Sequence, residues 1–224
     1  MTQPLVIPKT KLRVLIADDV PETRRSTRMM LAINPEVVVV AMAQNGLQAV
    51  EMALKHRPDI AIMDINMPRL DGLSALEQIM ETQPDLGCII ISAQRESDVF
   101  RKAMSLGARE YLIKPFTVDE LNIAVHRVGK IIEDARRREA HADRLRQQRE
   151  AYLKRLAHEY ARSRRTDEQA VEVFESLARN PKCELRWLMS LAMIYVIRKE
   201  WGKLKLLAAR IEQQEKAKSQ ENKK

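Results

Sequence analysis

The sequence predicts an α/β domain with a doubly wound parallel sheet, followed by a long helix and a small all-helical region. Between Leu12 and Lys130, five short β-branched runs alternate with five amphipathic stretches, the pattern of βαβ units. The runs are almost wholly apolar, as expected for strands covered by helices on both faces. After Lys130 the strand signals stop, and Gly and Pro become rare.

The elements follow in order along the chain. The strand candidates are LRVLIA, VVVVAMA, IAIMD, CIIIS and EYLIK. Helices are predicted over residues 22–33, 47–56, 74–81 and 99–105, and from 118 onward. Asn34-Pro35, Arg57-Pro58, Pro84 and Gly107 interrupt these stretches. Five strands and five helices in strict alternation result.

Polar residues stand where four of the predicted strands end. Asp18 and Asp19 follow the first strand, Asp64 ends the third, Ser92 the fourth and Lys114 the fifth. Ligands of doubly wound sheets bind beyond the carboxyl ends of the strands. The sequence therefore predicts one site at this edge of the sheet.

The residue types at this edge suit a metal and a phosphoryl group. Three carboxylates repel one another unless a cation is present, and Mg²⁺ prefers such oxygen ligands. A zinc site would require His or Cys. Lys114 and Ser92 can hold an anion beside the metal, and the set fits phosphoryl transfer to a carboxylate. The alternative for Asp18 and Asp19 is that they only open a helix.

The motifs VLIADD, DIAIMDINMPRLDG, IIISA and GAREYLIKPF resemble the receiver domain of two-component response regulators. The resemblance covers residues 11–130, the expected receiver domain. It implies a flavodoxin-like sheet with strand order 2-1-3-4-5. It also implies that a sensor histidine kinase or a phosphotransfer protein donates a phosphoryl group.

The same resemblance implies roles for the acidic residues. Asp64 matches the phosphoacceptor. Asp19 matches a direct Mg²⁺ ligand, Asp18 an acid that acts through water, and Asn66 the position whose backbone carbonyl completes the metal site, together with Asp64 itself. Asp71 belongs to an Asp-Gly turn and is not expected to bind the metal.

Three further residues match positions that act on the phosphate or respond to it. Lys114 and Ser92 match the catalytic lysine and hydroxyl that contact a phosphate oxygen, and Ser92 is also a switch residue. Tyr111 matches the aromatic switch. Taken singly, Ser92 is a strand-end hydroxyl and Tyr111 a half-buried aromatic. The family often has a cis bond at the position of Lys114-Pro115.

Residues 131–160 are predicted to form a linker helix. From Val128 to Glu159, ten positions spaced alternately three and four residues apart form a seam along this helix. Seven of the ten are apolar, which indicates a coiled coil and a homodimer. The alternative is a solvated linker helix that packs on its own chain.

Residues 161–213 are predicted to form a helical output domain, and residues 214–224 a disordered tail. Ala170, Phe174 and Leu177 recur 34 residues later, as Leu204, Ala208 and Ile211. That spacing resembles the tetratricopeptide repeat, although an unrelated helical hairpin explains the same apolar stripe.

The net charge of +8 is unevenly distributed along the chain. Residues 1–130 hold 16 basic and 16 acidic side chains, whereas residues 131–224 hold 23 basic and 15 acidic side chains. The basic helical half makes DNA or RNA binding an alternative to protein binding. Two distant cysteines, no signal peptide and no membrane span predict a soluble cytoplasmic protein.

Together these features predict a phosphorylation-controlled signalling protein, not an enzyme acting on external substrates. A phosphatase or phosphoryl carrier in a relay is a third hypothesis, but no second substrate pocket is evident from the sequence.

Overall fold

A computed structural model describes residues 11–93 and 97–221. The chain divides into two compact units, Met1–Arg138 and Glu139–Lys224. The division lies a little beyond residue 130, where the strand signals of the sequence end. One helix, α5, contributes residues to both units.

The first unit contains a five-stranded parallel sheet with the order β2-β1-β3-β4-β5, which confirms the predicted fold class. The strands are β1 (Leu12–Ala17), β2 (Val37–Ala43), β3 (Ile60–Asp64), β4 (Gly87–Ser92) and β5 (Ala108–Ile113). The helices between and after them are α1 (Pro21–Ala32), α2 (Gly46–His56), α3 (Gly72–Thr82), α4 (Ser97–Ser105) and α5 (Val118–Arg162).

Side chains of the central strands alternate between two cores, one on each face of the sheet. Leu15 and Met63 pack with α2, α3 and α4, whereas Ile16 and Ile62 pack with α1 and α5. Burial on both faces explains why these strands are apolar throughout. The sheet is thereby held rigidly, and its carboxyl edge is free to carry polar residues.

The second unit consists of the end of α5 with α6 (Glu168–Ala178), α7 (Leu185–Ile197) and α8 (Trp201–Glu221). Phe174 lies at the centre of its core and is 1% exposed. The core also contains Ala157, Ala170, Leu177, Trp187, Leu188, Leu191 and Leu207. Helical packing without a sheet confirms the all-helical prediction for this part of the chain.

Two features of the last helix bear on the expectations for the end of the chain. The segment predicted to be a disordered tail is helical as far as Glu221, since its Lys, Glu, Gln and Ala residues favour a helix; residues 222–224 lie outside the described residues. The 34-residue period equates Phe174 with Ala208, but Ala208 is exposed and Leu207 packs in the core.

The predicted coiled-coil seam is largely open to solvent. Leu145 is 52% exposed and Tyr152 61% exposed. Within the described ranges, no helix is both long and apolar enough to cross a membrane.

Candidate functional site

Three carboxylates meet at the carboxyl edge of the sheet. Asp18 and Asp19 directly follow β1, and Asp64 is the last residue of β3. One oxygen of each lies within 4.8 Å of the others. Asp18 and Asp64 are buried, whereas Asp19 is exposed. Neighbouring parallel strands thus bring acids that are distant in sequence into one cluster, as the strand-end pattern predicts.

Lys114 places a positive charge between the two buried acids. Its Nζ donates to Oδ2 of Asp18 and to Oδ2 of Asp64, at 2.8 Å each. The residue follows β5, and its backbone N–H donates to the carbonyl of Ser92 at 2.8 Å. The Lys114-Pro115 peptide bond is cis. Four strands therefore contribute to one charged site.

The buried charges shift the protonation equilibria of this site. Burial raises the pKa of Asp64 above its ordinary value, and the negative charge of Asp18 acts in the same direction, while Lys114 opposes the rise. Burial alone would lower the pKa of Lys114, but its bonds to Asp18 and Asp64 raise it on balance. One ammonium thus contacts two carboxylates of a cluster of three.

The donor set fits a hard divalent cation. All three acidic residues offer carboxylate oxygen, and Asp19 is exposed to solvent. The backbone N–H of Asn66 hydrogen-bonds to the Asp64 carboxylate, so Asn66 lies beside the cluster. Asp71 instead caps α3, accepting from the backbone N–H groups of Leu73 and Ser74.

The two predicted switch residues lie in different surroundings. Ser92 is completely buried at the end of β4, next to the strand that precedes Lys114. Tyr111 is half-buried on β5, and its ring meets that of Phe100 edge to face, with centroids 5.6 Å apart. Tyr111 is therefore held by α4 on one side of the sheet edge.

Two residues that support the site were not singled out in the sequence. Arg24, in the first turns of α1, donates from Nη1 to the backbone carbonyl of Asp18. Gly72 begins α3, and a Cβ there would stand 2.0 Å from the carbonyl oxygen of Asp64. The Asp-Gly pair could have signalled a close backbone approach, whereas nothing in the sequence indicates the direction of Arg24.

Comparison with known proteins supplies an independent observation. The family model described as "Response regulator receiver domain" matches residues 14–126. Chemotaxis protein CheY of Bacillus subtilis is 36% identical over 115 residues, which cover 51% of this chain and 95% of CheY. A crystal structure of a CheX-CheY-BeF3-Mg+2 complex from Borrelia burgdorferi is similar with a TM-score of 0.51 and 27% identity, over 53% of this chain and 90% of that one.

A longer relative matches about half of this chain. Protein-glutamate methylesterase/protein-glutamine glutaminase 2 of Carboxydothermus hydrogenoformans is 44% identical over 107 residues. The match covers 47% of this chain but only 30% of the methylesterase. The similarity therefore does not extend to most of that enzyme.

Proposed function

We propose that this chain, which belongs to the response regulator receiver domain family, is a signalling protein controlled by phosphorylation of Asp64. The observation that carries the proposal is the position of Lys114 Nζ, 2.8 Å from both Asp18 and Asp64, beside the exposed Asp19. Such a site combines a carboxylate nucleophile with a fixed cation and an open side.

In the proposed reaction, a carboxylate oxygen of Asp64 attacks the phosphorus of a phosphohistidine on a sensor histidine kinase or phosphotransfer protein. The new O–P bond gives an acyl phosphate, and the P–N bond breaks with its electron pair going to the imidazole. Lys114 neutralises charge on the transferred oxygens, because its ammonium already lies at hydrogen-bond distance from Asp64.

Magnesium is the cofactor we propose. When bound, Mg²⁺ supplies positive charge to the phosphoryl oxygens. Asp18, Asp19, Asp64 and the backbone carbonyl of Asn66 would hold it, and the Borrelia complex, which contains CheY with BeF3 and Mg2+, supports this choice. Arg24 donates to the backbone carbonyl of Asp18, and Gly72 permits the close approach of α3 to the backbone of Asp64.

We further propose that Ser92 and Tyr111 transmit the effect of Asp64 phosphorylation to the surface of the first unit. The Ser92 hydroxyl would donate to the new phosphate, which draws the end of β4 toward Asp64. Tyr111 would then turn inward and leave its edge-to-face contact with Phe100. The surface formed by α4 and β5 would differ between the two states, and that difference biases the output.

The output we propose is binding of a protein by the helices of the second unit, in the reducing cytoplasm to which two buried free cysteines are suited. The proposed chemistry is limited to transfer and hydrolysis of the chain's own phosphoryl group. The methylesterase relative matches over 30% of its length, so we propose no esterase activity.

The test is labelling with radioactive acetyl phosphate in the presence of Mg²⁺. We expect the wild-type chain to form an acid-stable, hydroxylamine-sensitive label, and Asp64→Asn to lose it. Asp85→Asn, a change of an exposed aspartate outside the cluster, is the matched control and should label normally. Undiminished label in the Asp64→Asn chain would refute the assignment.

A second candidate function is binding of DNA or RNA. It is favoured by the 11 basic side chains of residues 136–165, most of which are exposed on α5 and just after it. A filter-binding titration over salt separates the two outputs, because phosphate contacts give a steep loss of affinity with salt. Absence of binding at low salt removes this candidate.

A further inference from the structure

A groove of about 250 Å³ lies within the second unit, between the end of α5, α6 and the start of α7. It lies wholly within residues 139–224 and so is separate from the carboxylate site. Its rim is formed mainly by charged side chains, and its floor by Leu153, Leu177, Cys183 and Trp187.

The rim has an excess of positive charge. Five lining residues are basic and two are acidic: Arg146, Arg149, Lys154, Arg179 and Lys182 against Glu150 and Glu184. Both acids contact Lys154, at 2.8 and 3.8 Å. Among the described residues, Arg149, Arg179 and Lys182 form no ion pair. Three of the five cations at the rim therefore have no ion-pair partner within the described ranges, and the rim carries a net positive charge.

The floor contains a buried donor that lacks an acceptor. Trp187 is 3% exposed, and its indole Nε1–H has no hydrogen-bond acceptor in the described part of the chain. The ring is fixed by His158, edge to face at 4.9 Å, and by the Arg186 guanidinium 4.4 Å above it. A buried donor without a partner is costly and rare, which distinguishes Trp187 from the other residues of the floor.

From these observations we infer that the groove binds a peptide segment of a partner protein in which a carboxylate side chain neighbours an apolar one. The carboxylate pairs with Arg179 and Lys182, and the apolar side chain packs on Leu153 and Leu177. The inference rests on the proposed function in one respect, that the helical unit binds a protein.

The floor of the groove separates a peptide from a nucleic acid. An apolar floor and a volume of about 250 Å³ suit one apolar side chain better than a strand of nucleotides.

The experiment uses the full-length chain carrying Trp201→Phe, so that Trp187 is the sole tryptophan. The chain is immobilised and exposed to a pool of short synthetic peptides whose central positions are random mixtures of Leu, Phe, Asp, Glu, Lys and Ser. Bound peptides are identified by mass spectrometry. We expect enrichment of peptides with Asp or Glu next to Leu or Phe, and a shift of Trp187 emission when the best of them is titrated.

Two charge reversals and one matched control locate the binding. Arg179→Glu and Lys182→Glu should each weaken that peptide about tenfold or more. Lys205→Glu, an equal charge change at an exposed α8 residue outside the groove, should leave the affinity unchanged. Far-UV circular dichroism shows that each variant retains its helices.

Three outcomes would overturn the inference: no enrichment of acidic-apolar peptides, equal affinity after both reversals, or displacement of the peptide by a single-stranded oligonucleotide at equal concentration. Acetyl phosphate labelling of the same samples keeps the two proposals apart. Normal labelling without peptide binding refutes the groove alone, and peptide binding without labelling refutes the receiver assignment alone.

Discussion

The two units of this chain bury different kinds of side chain. Among its described residues, the first buries six that are polar or charged, Asp18, Thr27, Asn45, Asp59, Asp64 and Ser92. Among the described residues of the second unit, the buried set consists of aliphatic, aromatic and Cys side chains. Because a buried charge is costly unless it is paired, the first unit needs Lys114 at its site, whereas the second keeps its charges at the surface.

This difference separates two kinds of function. A carboxylate removed from water and held beside a fixed cation is suited to a reaction on that carboxylate. A helical core with charged grooves at its surface is suited to recognition. Substitutions that act on one unit and spare the other are the direct way to test the comparison.

The largest effect is expected from Phe174→Ala in the helical core. Removing a side chain that is 1% exposed should lower the free energy of unfolding by about 3–5 kcal/mol. Both tryptophans, Trp187 and Trp201, lie in this unit, so their fluorescence during urea denaturation measures it selectively. Asp64 labelling should persist. Met193→Ala, at a residue of α7 that is 66% exposed, is the control with a small expected effect; loss of labelling in Phe174→Ala would mean that the units are not separable.

The next effect is expected at the carboxylate site. Lys114→Ala removes the cation that contacts both Asp18 and Asp64, and the rate of labelling by acetyl phosphate should fall about 10²-fold. The helical unit should unfold as before. Lys102→Ala, an exposed lysine of α4, should label at the wild-type rate. An unchanged rate in Lys114→Ala would show that the lysine only balances charge in the resting site.

A smaller effect, equal in the two units, is expected from removing a helix N-cap in each. Asp71 caps α3 and Asp167 caps α6, each through a carboxylate oxygen that accepts from the first turn of its helix. Replacing either with Ala should cost about 1 kcal/mol in denaturation experiments. Asp85→Ala, outside any cap, should cost little. A large difference between the two cap variants would show that one cap has a role beyond its helix.

The smallest effect is a pH dependence confined to the helical unit. The hydrogen bond from the Tyr195 hydroxyl to Glu175, at 2.8 Å, and the Lys203 ammonium at 3.0 Å hold the pKa of Glu175 below its ordinary value. Because the pKa of Glu175 is lower in the folded chain than in the unfolded chain, ionisation of this carboxyl group stabilises the folded state. The stabilisation is complete above about pH 4.5, the ordinary pKa of the group, and it is lost as the pH falls through the pKa in the folded chain.

We therefore expect tryptophan-detected stability of the wild-type chain to fall more steeply below about pH 4.5 than that of Glu175→Gln. Glu172→Gln changes an exposed glutamate of the same helix and should retain the wild-type profile. Parallel profiles for wild type and Glu175→Gln would contradict the expectation.

Sequence patterns predicted much of the first unit. Apolar runs identified all five strands, and Asn34-Pro35 and Gly107 lie between elements where interruptions were expected. The acidic and basic strand ends predicted the cluster, because parallel strands place their carboxyl ends together. The support from Arg24 and the close approach of Gly72 to Asp64 were not evident, since both depend on how α1 and α3 pack against the sheet.

Patterns were less informative for the helical unit. A repeat at 34 residues equated Phe174 with Ala208, yet only Phe174 is buried. Periodicity shows that a face is apolar without showing which neighbour covers it. The composition of residues 214–221 suggested disorder, but the same residues are good helix formers and extend α8.

The sequence by itself determined the alternation of strands and helices, the types of residue at the strand ends and the division of charge between the halves, because these depend on local pattern and composition. Only the tertiary structure decided that Lys114 bridges Asp18 and Asp64, and that Trp187 is buried, with no acceptor among the described residues, beside a basic rim. The first arrangement joins three strand ends that are distant in sequence, and the second brings α5 against α7, so packing sets the distances in both.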